Sequence, residues 1–167
     1  MPQKLSFNIS IFLILLLPLA MLLADLALGA KEEIGVVYPG EGIGSVWIGQ
    51  TRPADSELPP LLQEGISKGT IRIEAPAPAN NVVRIIVTSP SFRVERSLLR
   101  VRYNDLADVL RYYGKGETDI SSETTTIKYG KYGIDFIVSN NDKRIKEIVI
   151  YKPIGPSFSE EQFKKLK

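Results

Sequence analysis

The chain predicts an α+β fold: an antiparallel sheet built from two related strand-helix-hairpin units, with short helices packed on one face. Three observations predict it. First, two segments match without a gap at one constant offset. Ile71-Arg72-Ile73 corresponds to Ile134-Asp135-Phe136, and Val82, Ile85, Val87 and Pro90 correspond to Ile145, Ile148, Ile150 and Pro153. Second, apolar residues in both segments alternate with polar ones, the period of a half-buried strand. Third, each segment follows an apolar run at helical spacing that reaches a glycine. The organisation expected is a leader or N-terminal anchor over residues 1–30, an α+β domain over 31–154 and a polar C-terminal tail over 155–167. The two units of the domain cover about 43–92 and 97–154.

Leu5 through Ala24 carry no charge; Lys4 precedes them, and Asp25 and the small residues Ala27-Leu28-Gly29-Ala30 follow. A basic start, an apolar centre and a small-residue zone make a secretory leader. The alternative is a single-pass anchor, since such a run just spans a bilayer at about 1.5 Å per residue. Either way the body is expected to be exported, periplasmic or secreted, and membrane-bound only if the leader is retained.

Gly40-Glu41-Gly42-Ile43-Gly44 lies at the entrance to the first unit. It has neither the dinucleotide nor the P-loop spacing and reads as a flexible loop. A strand is expected over Ser45–Gln50, then a short helix from Leu58 to Gly65 with Pro59 and Pro60 in its first turn, where the missing N–H costs nothing. In the hairpin that follows, Ile71, Ile73, Ile85 and Val87 face inward, and Arg72, Glu74, Arg84 and Thr88 outward. Ala75-Pro76-Ala77-Pro78-Ala79 is a stiff connection that projects or covers an edge.

The second unit begins with a strand over Leu98–Tyr103. Asn104 is a good N-cap, Asp105 and Asp108 suit the positive end of a helix dipole, and Arg111 suits the other end. Leu106, Val109, Leu110 and Tyr113 form one apolar stripe, and Gly114 terminates the helix. A polar loop is expected from Lys115 to Glu123 and a strand from Thr124 to Tyr129. In the last hairpin Ile134, Phe136, Ile148 and Ile150 point inward, and Asn140-Asn141-Asp142 makes the turn. Pro90 and Pro153 end their strands because proline cannot donate to a ladder. In the tail, Ser159 and Gln162 have capping-box spacing, so a last helical turn or two is expected over residues 160–167.

Composition excludes whole classes of chemistry. The chain has no cysteine and no histidine, so disulfides, thiolate nucleophiles, Ser-His-Asp and Cys-His arrangements and histidine zinc sites are impossible. A formal charge of +2 gives no reason to expect nucleic acid. The carboxylate pairs Asp105–Asp108 and Asp119–Glu123 are explained by helix electrostatics and by a loop, so no catalytic residue, cofactor or metal is expected.

The run Leu99-Arg100-Val101-Arg102-Tyr103-Asn104-Asp105-Leu106-Ala107-Asp108-Val109-Leu110-Arg111-Tyr112-Tyr113-Gly114, followed by Tyr132-Gly133-Ile134-Asp135-Phe136, resembles a class of small bacterial envelope domains. It is similar to the α+β modules of the outer-membrane assembly lipoprotein BamE (SmpA/OmlA) family and of β-lactamase inhibitor protein, the latter a tandem of two units. The resemblance spans about residues 43–153. It implies a non-catalytic module that binds other macromolecules, and the role expected of the chain is protein–protein interaction in the cell envelope with another envelope protein as partner. Lipid anchoring does not carry over, because the cysteine it needs is absent.

Four residues are candidates for a contact surface. Arg96, Arg100 and Arg102 fall on one side of an extended chain, together with nearby Arg93. The bland reading is a solvated strand face balanced by Glu95 and Asp105; the functional one is a patch for anionic lipid, anionic glycan or an acidic protein face. Tyr112 lies off the helix stripe and should be exposed, as an interface anchor would be. A lipid- or glycan-binding module using Arg93–Arg102 is thus the alternative to a protein-binding one, and a carboxylate-only enzyme is a second.

Overall fold

A computed structural model of the chain describes residues 35–154. The leader or anchor, the first residues of the expected domain and the tail helix lie outside the described residues. The strands are β1 (Gly35–Tyr38), β2 (Gly42–Ile43), β3 (Val46–Trp47), β4 (Ile71–Glu74), β5 (Arg84–Val87), β6 (Phe92–Val94), β7 (Glu117–Ile120), β8 (Thr124–Tyr129), β9 (Ile134–Ser139) and β10 (Ile145–Tyr151). Helix α1 (Pro60–Ser67) precedes β4 and α2 (Leu106–Tyr113) precedes β7; short 3-10 turns occupy Asp55–Glu57 and Gly130–Tyr132.

Period-two burial organises the larger sheet, six antiparallel strands in the order β4-β5-β10-β9-β8-β7. Ile71 lies opposite Val87, Val87 opposite Ile148 and Ile148 opposite Phe136, and all four are buried. Ile73, Ile85, Ile150 and Ile134 form the adjacent inward row. Both helices cover this face. A side chain on Gly65 of α1 would collide with Ile71, so glycine lets the helix lie close to β4. On α2, Tyr113 packs against Phe136 with ring centroids 5.3 Å apart and against Tyr129 at 5.0 Å.

The central strands are buried on both faces, because Ile86 and Val149 oppose one another on the outer side. Around them runs a polar frame. Arg72, Ile86, Val149, Asp135, Lys128 and Glu117 form one continuous outward row across all six strands. Most of its charge is answered locally: Arg84 Nε donates to Glu74 at 2.8 Å, and the Tyr151 hydroxyl donates to Asp135 at 2.6 Å. Burial raises the pKa of Asp135, while the Tyr151 hydroxyl and the Tyr129 N–H oppose that shift.

Several expectations are corrected. A second sheet exists, four short strands in the order β3-β2-β1-β6, with β1 and β6 parallel. The glycine run expected as a loop contains β2: Gly42, at φ +158, lies tight against the Val46 carbonyl in the β2–β3 pair. The expected strand over Ser45–Gln50 shrinks to Val46–Trp47. The loop from Lys115 to Glu123 contains β7, whose side chains are all exposed, so backbone pairing to β8 defines it without an apolar face. α1 does not stop at Gly65 but continues to Ser67. Asp105, not Asn104, caps α2: its carboxylate accepts the Asp108 N–H at 3.0 Å, and Asp108 answers to the Asp105 N–H. Among the described residues no helix is long and apolar enough to cross a membrane.

Replacing Phe136 by Ala empties the meeting point of sheet and α2. It should cost about 3–5 kcal/mol, whereas exposed Ile120→Ala should stay within about 0.5 kcal/mol; urea unfolding of the two variants checks the contrast.

Candidate functional site

The segment that leaves β6 and enters α2 is not extended. This corrects the placement of Arg96, Arg100 and Arg102 on one side of a strand over Leu98–Tyr103. Two tight turns replace it. In the first, the Leu98 N–H donates to the Val94 carbonyl and the Val94 N–H to the Leu99 carbonyl, both at 2.9 Å. In the second, the Asn104 N–H reaches the Arg100 carbonyl at 3.2 Å, and the Asn104 side-chain oxygen accepts the Arg100 N–H at 2.9 Å. Buried Leu99 and Val101 pin the turns to the core and force their neighbours outward.

These turns are made without glycine. Arg96 (φ 61), Leu98 (φ 59) and Arg102 (φ 66) all take left-handed backbone, as does Lys143 (φ 59) at the tip of the β9–β10 hairpin. Such a conformation costs a residue with a side chain roughly 1–2 kcal/mol. The hairpin tip supports the second turn directly. The Arg102 N–H donates to the Ile145 carbonyl at 2.8 Å, the Leu106 N–H to the Lys143 carbonyl at 2.9 Å, and the Arg144 guanidinium to the carbonyls of Arg102 and Tyr103 at 2.8 and 3.3 Å. Four of the five non-glycine residues with left-handed backbone in the described chain therefore lie in one corner, made of this two-turn segment and the hairpin tip bonded to its second turn.

That corner presents Leu98 and Tyr103, 54% and 61% exposed. Arg100 lies over the Tyr103 ring, its guanidinium carbon 4.4 Å from the centroid, and its Nε donates to the Pro90 carbonyl at 2.8 Å. A cation over an exposed ring is worth about 0.5–1 kcal/mol. Arg93 sits opposite Arg100 across a single antiparallel bridge, so two like charges share one side of the chain. Among the described residues Arg93 and Arg102 form no ion pair, while Arg96 reaches Glu95 at 3.9 Å.

Of the residues expected at the surface, the structure brings Arg96, Arg100 and Arg102 into this corner and leaves Tyr112 on α2, 38% exposed and tilted on Tyr113 at 5.2 Å. Burial raises the pKa of the Tyr113 hydroxyl, and Ser97, between Arg96 and Leu98, opposes that shift. Leu98, Tyr103, Lys143 and Arg144 were missing from the sequence-based surface; the run of arginines flanking Tyr103 was the signal for the second of them. The acids of this region are engaged in structure. The Asn104 side-chain amide and the Asp105 N–H hold Asp108 below the usual carboxylate pKa, and the Arg144 N–H does the same for Asp142. Among the described residues no cluster of carboxylates could hold a metal ion.

No protein family, no curated protein and no solved structure matches the chain.

Two outcomes follow from this geometry. Leu98→Gly removes the left-handed penalty and should raise stability by about 0.5–1 kcal/mol net of glycine's greater unfolded-state entropy, read in a denaturant titration. Because the folded state lowers the Asp108 pKa, its contribution is complete above the ordinary carboxylate range and fades as pH falls through the folded value. Asp108→Asn should therefore lower the melting temperature near neutrality, and the gap to the parent should close in acid.

Proposed function

We propose that the chain is an exported, non-catalytic protein-interaction module of the cell envelope, and that the corner formed by residues 93–104 with the β9–β10 hairpin tip is its contact surface. The observation that carries this is Leu98: a bulky apolar residue held both left-handed and exposed, in the same two-turn segment as exposed Tyr103 and the Arg100 that covers its ring. The turn forces this position outward, yet glycine would take its left-handed backbone without the cost a leucine carries, and backbone strain kept at a surface is a feature of recognition sites. Tyrosine and arginine are also the residues that most often anchor protein interfaces. The surplus of arginine over acid at the corner fits an acidic partner face. The outer face of the large sheet is a weaker contact surface, since its Arg84, Glu74, Asp135 and Tyr151 already satisfy one another.

The uncharged run before Asp25 supports export, and the absence of histidine and cysteine supports a role without group transfer. The architecture we infer is two related units. Its support is that the β4–β5 and β9–β10 hairpins share a register: Ile71 with Val87 and Ile73 with Ile85 in one, Ile134 with Ile150 and Phe136 with Ile148 in the other.

Affinity capture from envelope extract tests the reading. The parent chain should enrich a defined partner, and Arg100→Ala and Tyr103→Ala should each weaken capture at least about 30-fold, the effect of losing ~2 kcal/mol at an interface anchor. Undiminished capture by both variants would assign the contact to another surface.

A further inference from the structure

Among the described residues β4 pairs with β5 alone and forms one border of the six-stranded sheet. The hydrogen-bond pattern of this pair determines what the border presents. The Thr88 N–H donates to the Thr70 carbonyl. In an antiparallel ladder bonded pairs alternate, so Arg72 also bonds toward β5, while the N–H and C=O of Ile71 and Ile73 point away from it. A depression of about 380 Å³ lies along this strand, lined in part by Arg52, Ile66, Thr70, Arg72 and Ile73. Unpaired backbone beside open space is a template for another strand.

The side chains indicate which strand. Ile71-Arg72-Ile73-Glu74 is complementary to itself when run antiparallel about Ile73. In that register Ile73 meets Ile73, Ile71 meets Ala75, and Arg72 meets Glu74 of the second copy, twice by symmetry. The register also uses the groups that are free, since Ile73 and Ile71 are the residues whose N–H and C=O face outward. The Arg72 side chain is 69% exposed and holds one oxygen of Glu74 on its own strand at 3.5 Å while Arg84 holds the other at 2.8 Å, so the crossed pair exchanges the longer contact and leaves the shorter one in place. Opposite charges directly across a ladder stabilise it. The other border behaves in the opposite way. A similar pairing of β7 about Thr118 sets Glu117 against Asp119, and pairing about Asp119 sets that residue against itself.

We propose that β4 is a homodimerisation edge, joining two copies of this chain through a two-fold axis at Ile73 into one continuous sheet. The proposal is independent of the corner at residues 93–104.

Sedimentation equilibrium of the full chain should give twice the 18.6 kDa chain mass. Arg72→Glu and Glu74→Arg should each return it to monomer, and the double reversal should restore the dimer, with far-UV circular dichroism reporting the fold. Hydrogen exchange on the unaltered chain provides a readout free of substitutions: the Ile71 and Ile73 amides should slow at least about tenfold as concentration rises through the dimer transition. A parent chain that is monomeric at millimolar concentration overturns the proposal, as does association indifferent to both single reversals or concentration-independent exchange at Ile71 and Ile73. Arg100→Ala should leave the dimer intact, and the β4 reversals should leave partner capture intact, so the two readings fail separately.

Discussion

The pairing of β5 with β10 is the interaction on which the rest of the structure depends. It joins strands far apart in sequence, Ile85 and Val87 to Ile150 and Ile148, and both strands are buried on the two sides of the sheet. The hairpins on either side are local and would be marginal alone, since isolated two-stranded ribbons are barely stable in water. Their union creates a row of apolar side chains wide enough for α1 and α2 to cover. Closing so long a loop is entropically expensive and is repaid only when the helices dock, which couples sheet and helices into one transition.

How much was legible in the sequence depends on how much each element relies on side-chain period. Ile71, Ile73, Ile85, Val87, Ile134, Phe136, Ile148 and Ile150 announce their inward direction by alternation, and every one is buried. Leu106, Val109 and Tyr113 announce α2 in the same way, although Leu110 ends up at the rim of the stripe. The small sheet carries no such signal. Its strands are two to four residues long, interrupted by glycine, and one of its pairs is the parallel contact between β1 and β6. β7 was missed for a related reason: Glu117-Thr118-Asp119-Ile120 is wholly exposed, so nothing in its polarity marks a strand.

The candidate site was legible in composition and illegible in shape. Arginines around Tyr103 stand out in the sequence, and alternation suggested a strand. Turn chemistry is normally read from glycine and asparagine, and the left-handed positions here are Arg96, Leu98, Arg102 and Lys143. Leu99 and Val101 are drawn into the core, local bonds from Val94 to Leu98 and Leu99 close the first turn, and the β9–β10 tip clasps the Arg102 and Tyr103 carbonyls of the second through Arg144. The Arg102 conformation, held from more than forty residues away, leaves no local trace.

The acidic residues of β7 have a consequence beyond that strand. A sheet border of bare backbone invites growth without end, copy upon copy, as in fibres. Glu117 and Asp119 place negative charge along that border, Asp119 held there by Lys128 at 3.8 Å, and so a neighbouring molecule arriving in the same orientation is turned away. The border is thus a strand edge whose own acidic side chains disfavour pairing with a like edge.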